Sequence, residues 1–174
     1  MKKVRLLFIF IGLIVAIACG SKQDSETAAA GNATDAVSFV LQTLDGNKVD
    51  SKQLRGNVLV VDFWATWCQP CIKEIPEYNA FHKKYSDSTV EMVAITLESG
   101  DAETVKPFVE KHNIDYPVYM GNNEVRAEFG GIQVFPTTFI VDQKGKIQEK
   151  FLGAGPNKIK KIETAVKELL EKAS

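Results

Sequence analysis

The 174-residue chain is poor in the groups that build metal centres and disulfide frameworks: it has three cysteines and two histidines. Three thiols cannot form a framework, and a chain this long can bury a core without one. His82 and His112 lie on what read as separate helices, where packing or capping is expected of them. Neither stands at ligand spacing from a thiol, which argues against a zinc site. Charge of one sign is also lacking. Lys and Arg number 21 and Asp and Glu 22, and without Lys2, Lys3 and Arg5 the balance is 18 to 22. A mildly acidic body of this kind binds neither nucleic acid nor anionic lipid by charge alone. No apolar run reaches the roughly 20 residues that span a bilayer as a helix. The longest, Leu6 to Ala18, covers 13 residues. No internal repeat is present. With 45% hydrophobic and 25% charged residues, the composition is that of one globular domain with short extras.

Those extras are at the start. Met1 to Arg5 is basic, and the apolar run behind it has the length of a signal-peptide core. It ends in Ala16-Ile17-Ala18-Cys19-Gly20, small residues before a lone cysteine, which resembles a bacterial lipobox. The resemblance implies a signal peptide over residues 1–18, cleavage before Cys19, and lipidation of Cys19. Several acyl chains give stable anchoring at about 0.8 kcal/mol per buried CH₂. An uncleaved anchor and plain secretion are the other readings, and all three put the domain outside the cytoplasm. Residues 19–36 are rich in Ser, Ala, Thr, Gly, Asp and Asn without apolar periodicity, the composition of a flexible tether.

The folded domain is expected over 37–174. Asp45-Gly46 between Phe39-Val40-Leu41 and Lys48-Val49-Asp50 marks a hairpin. Val58 to Phe63 reads as a strand buried on both faces, interrupted only by Asp62. A helix follows from about Cys71 to Tyr85, with Pro76 expected to kink it. A second buried strand runs from Val90 to Leu97. Val105, Phe108, Val109 and His112 share a helical face, with Asp101 and Glu103 in the first turn. A short strand at Tyr116–Met120 and a short helix at Glu124–Phe129 come next. Thr137–Val141 and Lys146–Leu152 form a closing hairpin, and Ile159, Ile162, Val166 and Leu169 stripe a final helix. Alternating strands and helices imply an α/β sheet, made mixed by its antiparallel ends.

The chemistry resides in Cys68-Gln69-Pro70-Cys71. A strand ends, the chain turns, and a helix begins at the pair. Unpaired N–H groups and partial positive charge at a helix N-terminus favour a thiolate, so Cys68 is expected to be acidic and exposed. Cys71, one turn on, is expected to be buried, and the spacing lets the two sulfurs meet. Cys68 can attack a disulfide, and Cys71 can resolve the mixed disulfide. Pro70 stiffens the turn without wasting an N–H. Half of a zinc site and an inert disulfide are the competing readings; the short loop would restrain little of the unfolded chain.

With Phe63-Trp64-Ala65-Thr66-Trp67 before the pair, Pro76 after it, and Phe135-Pro136-Thr137-Thr138-Phe139 downstream, residues 37–174 resemble the TlpA/ResA-like thiol–disulfide oxidoreductases of the thioredoxin superfamily. The resemblance implies a thioredoxin fold: a central mixed sheet flanked by helices, with an N-terminal β-hairpin and a central βα insertion between about Val90 and His112. It implies a cis peptide bond at Pro136, facing the cysteines and leaving the backbone of Phe135 free to pair with a bound peptide. Trp67, Gln69, Pro70 and Phe135 are the expected substrate contacts. Trp64 and Trp67 would wall the site, with core packing as a further role for Trp64. For Asp62 two readings stand: the acid behind Cys71 that accepts its proton, or a strand-end carboxylate reaching solvent or a backbone amide. Glu74 either tunes the cysteines or is a solvated residue partnered by Lys73 or Tyr78.

The resemblance also implies a redox-active disulfide with no other cofactor and no metal. It implies reduction of exported protein disulfides, notably apocytochrome c, with electrons from a membrane thiol carrier of the DsbD/CcdA kind. Two alternatives differ in class. A peroxiredoxin-type peroxidase would carry Pro and Thr where Val61 and Ala65 stand. A lipoprotein that only binds a partner would use the disulfide structurally.

Overall fold

The computed structural model describes residues 36–173, so the leader, Cys19 and the tether through residue 35 lie outside it. Seven strands form one sheet: β1 Val40–Thr43, β2 Lys48–Asp50, β3 Val58–Trp64, β4 Val90–Thr96, β5 Val118–Met120, β6 Thr137–Val141 and β7 Ile147–Leu152. Four helices accompany them: α1 Gln69–Tyr85, α2 Ala102–Lys111, α3 Asn123–Glu128 and α4 Lys158–Ala173. The spatial order is β2-β1-β5-β4-β3-β6-β7. Only β3–β4 and β4–β5 pair in parallel; the other neighbours are antiparallel, giving the mixed sheet anticipated from the order of elements. A 3-10 turn at Ser51–Leu54, capped by Asp50, was not foreseen.

The strand period of two sorts β3 into two cores. Val58, Val60 and Trp64 face a cluster with Ile75, Tyr78 and Phe81 of α1, Val105 of α2, and Ile159, Ile162 and Val166 of α4. Leu59, Val61 and Phe63 face the opposite cluster with Phe39, Val125, Phe129 and Phe139. There the ring of Phe63 packs edge-on against Phe129 at 5.1 Å and Phe139 at 5.9 Å. The same alternation puts Asp62 on the α1/α4 side, in the interior, where a carboxylate needs partners.

Helix α1 begins two residues earlier than the periodicity suggests, because Cys68 itself supplies its N-cap. It runs through Pro76 as one element and carries Lys83 and Lys84 in its last turn, cations suited to a helix C-terminus. Beyond β5, Gly121 is obligatory: a Cβ there would lie 2.5 Å from Leu97 Cδ2 and 2.9 Å from the backbone oxygen of Thr96.

Candidate active site

Cys68 and Cys71 are joined by a disulfide with a Cα–Cα separation of 5.3 Å. Cys68 has extended backbone, and its Sγ accepts the N–H of Cys71 at 3.2 Å. One of the orphan donors at the helix start is therefore aimed at the Cys68 sulfur. No acidic residue occupies the first turn of α1 to oppose a thiolate there.

Exposure of Cys68 is corrected by the structure. In the disulfide form Cys68 is 4% exposed and Cys71 5%. Both cysteines lie in the cluster that holds Trp64 and Ala65, with Phe135 packed against it. The accessible shoulder of the site is formed instead by Trp67, 57% exposed, and by Gln69 and Pro70. The ring of Phe135 meets Trp67 edge-on at 5.6 Å. The Phe135–Pro136 bond is cis. Trp64 is buried against Phe108 and belongs to the core.

The loop after β4 grips the turn that carries the cysteines. Leu97 N–H donates to the Trp64 carbonyl, Thr66 N–H to Ser99 Oγ, and the Trp67 indole N–H to the Glu98 carbonyl at 2.9 Å. Glu98 takes a left-handed backbone, φ 54°, uncommon for a non-glycine residue. Its carboxylate pairs with Arg126 of α3. Nothing in the composition of residues 97–100 signals this role.

A buried polar cluster joins β3, α1 and β6. Asp62 Oδ1 accepts from Thr138 Oγ1 at 2.7 Å and from the Tyr78 hydroxyl at 3.3 Å; Tyr78 and Thr138 lie 2.9 Å apart. Thr138 sits directly across the β3–β6 ladder from Asp62. Of the two readings of Asp62, solvent or backbone amide is thus ruled out: its partners are side-chain hydroxyls. Burial pushes its carboxyl up from 3.8 to about 6, against the lowering pull of Lys158 and Thr138. Burial, reinforced by Asp62, pushes the Tyr78 phenol well up as well, so it stays a donor.

Glu74 is not solvated, and its partner is neither Lys73 nor Tyr78. It is buried and ion-paired to Lys158 Nζ at 2.9 Å. Burial raises its carboxyl; Lys158 counters. Lys158 was absent from the sequence-based candidates because it lies 84 residues downstream. One signal was available: a cation at the first position of a helix, where the macrodipole disfavours it. His82 is half-buried on α1, and His112 lies against Phe108 with ring centroids 4.2 Å apart. Among the described residues no three His, Cys, Asp or Glu side chains are grouped to hold a metal ion.

Comparison with known proteins agrees with this chemistry. Residues 33–150 match the AhpC/TSA family. The thiol–disulfide oxidoreductase ResA of Bacillus thuringiensis (strain Al Hakam) is 35% identical over 160 residues, covering 88% of this chain and 91% of that protein. ResA of Bacillus subtilis (strain 168) is 28% identical over 88% of each. Among solved structures, a putative thiol:disulfide interchange protein DsbE from Chlorobium tepidum superposes with TM-score 0.71 at 25% identity, covering 78% of this chain and 96% of that one. A thioredoxin-family thiol:disulfide interchange protein from Chlorobium tepidum TLS gives 0.68 at 32% identity, covering 78% and 94%. A thioredoxin-like sheet, a Cys68–Cys71 disulfide capping α1 and this degree of identity over most of its length make the chain a member of the ResA-like thiol–disulfide oxidoreductases, an enzyme of dithiol–disulfide exchange.

Proposed function

We propose that the enzyme works outside the cytoplasm, tethered by lipid on Cys19, and reduces disulfides in exported proteins such as apocytochrome c. The observation that carries the chemistry is the capping geometry of Cys68: on reduction, the N–H that meets its sulfur and the positive end of α1 stabilise the thiolate. The leader from Met1 to Cys19 supports the location.

In the reducing direction the Cys68 thiolate attacks one sulfur of a substrate disulfide. A Cys68–substrate bond forms and a substrate thiolate leaves. Cys71 then gives its proton to Asp62, directly or through water, and its sulfur displaces the second substrate thiolate from Cys68. Two electrons pass to the substrate, and Cys68–Cys71 is left oxidised. A membrane dithiol carrier of the DsbD/CcdA kind would reduce it again. Trp67, Gln69, Pro70 and Phe135 offer the surface for the substrate chain; Glu74 biases the thiol acidities from below. Val61 and Ala65 stand where a peroxidase of peroxiredoxin type has Pro and Thr, so a peroxide-consumption assay on the reduced enzyme is expected to be blank.

Equilibration of the purified enzyme with glutathione tests the direction. A potential closer to about −270 mV than to about −120 mV is expected, and a value near the latter, that of a strong oxidant, would overturn the reducing role. With Cys71→Ser, the mixed disulfide cannot resolve, and mass spectrometry should recover exported cysteine-containing proteins bound through Cys68. Equal insulin-reduction rates for the wild type and Cys68→Ser would favour a non-catalytic binder.

A further inference from the structure

Lys158 lies outside everything the exchange chemistry requires, yet the fold is built to bring it in. It is the first residue of α4 and 5% exposed, and lysine is almost never buried unless paired. It also stands at the end of a helix that repels cations. Asn157 just before it takes a left-handed backbone, φ 61°, one that asparagine tolerates. The Lys158 N–H closes a turn onto the Gly155 carbonyl at 3.2 Å. Its ammonium pairs with Glu74 at 2.9 Å and lies 5.8 Å from the centre of the Tyr78 ring, whose hydroxyl bonds to Asp62.

The buried cluster therefore holds two carboxyls and one ammonium. Two carboxylates close enough to interact do not ionise equally well in a low-dielectric interior, and a single cation neutralises one of them. We propose that Lys158 is a positioning residue that decides which acid takes up a proton: paired with Glu74, it keeps that carboxyl charged and leaves Asp62 as the member that is protonated first. The other ionisable groups around the cluster are Glu77 and Tyr78 on α1 and Tyr116 before β5, together with Lys150 and Lys161, which with Lys158 line a cleft of about 340 Å³. The two further lysines make no ion pair with Glu74 or Asp62, so the assignment falls to Lys158. The functional weight of this inference rests on the proposed transfer of the Cys71 proton to Asp62.

The test is titration of the two carboxyls by carbon-13 NMR in the full oxidised protein, where neither cysteine titrates, with Asp62→Asn and Glu74→Gln assigning the signals. In the wild type, Glu74 should ionise before Asp62. In Lys158→Met the Glu74 midpoint should climb by about one pH unit or more, further than that of Asp62, while Lys158→Arg restores the wild-type order. In Glu74→Gln the Asp62 midpoint should fall, because the charge of Glu74 no longer raises it and the freed ammonium acts on Asp62 alone. An unmoved Glu74 midpoint in Lys158→Met, or equal climbs of both acids, would overturn the proposal. If Lys158→Met fails to fold, Lys158→Gln takes its place, and an unmoved Glu74 midpoint there is the refuting result. The expected order of ionisation combined with insulin reduction indifferent to Asp62→Asn would sink the acid's part in the exchange and leave the assignment by Lys158 standing.

Discussion

Replacing Asp62 by asparagine should make the oxidised protein more stable at alkaline pH while making the enzyme slower. The folded protein holds the Asp62 proton more tightly than the unfolded chain, with the carboxyl raised from 3.8 to about 6. The stability this residue contributes is therefore fully present below the unfolded value and is lost as pH rises through about 6. A gap of about two pH units corresponds to roughly 3 kcal/mol of destabilisation once Asp62 is ionised. Asparagine keeps the volume and an oxygen for Thr138 and Tyr78 but carries no charge. Its new amide needs an acceptor, which takes back about 1 kcal/mol. Asp62→Asn should thus be about 1 kcal/mol less stable than wild type near pH 4 and about 2 kcal/mol more stable near pH 8. Guanidinium unfolding of both oxidised proteins at the two pH values measures this directly. A stability difference that does not change between the two pH values would refute the reasoning, because it would mean that Asp62 is ionised, or hydrated, to the same extent in the folded and unfolded states. The expected fall in insulin reduction at neutral pH would place Asp62 among buried charges that trade stability for activity.

Thr138→Val should remove the shorter of the two hydroxyl bonds to Asp62 and cost about 1–3 kcal/mol in chemical denaturation, with the Asp62 midpoint moving further up because a hydrogen bond that favours the ionised form is gone. Gly121→Ala should destabilise the protein by about 1–3 kcal/mol, visible as a lower Tm, because its Cβ meets the Thr96 backbone as well as Leu97 and Ile95.

Where one local rule dominates, the sequence is easy to read. The Val58–Phe63 run, Asp45-Gly46, and the stripe Ile159, Ile162 and Val166 each have one period or one turn chemistry, and each formed the element expected of it. The disulfide was legible because the spacing of Cys68 and Cys71 and the strand-to-helix transition lie within a few residues of each other. The partners of the buried acids were not. Asp62 meets Thr138, 76 residues away, through strand register, and Glu74 meets Lys158 through the entry of the last helix. Such pairings depend on tertiary placement, on which periodicity is silent. Burial of Cys68 was missed for a related reason: a helix N-terminus was equated with the surface, whereas this one sits in the buried cluster with Trp64, Ala65 and Cys71.

Strand β6 carries Pro136 at its threshold and Thr138 two residues in, and its ladder with β3 aligns Thr138 with Asp62 and Thr137 with Phe63. One segment thus carries both the cis proline and the hydroxyl partner of the buried acid. Sliding it by a single residue would turn Thr138 away from Asp62 and invert every side chain on the strand, so the two features keep a fixed spacing.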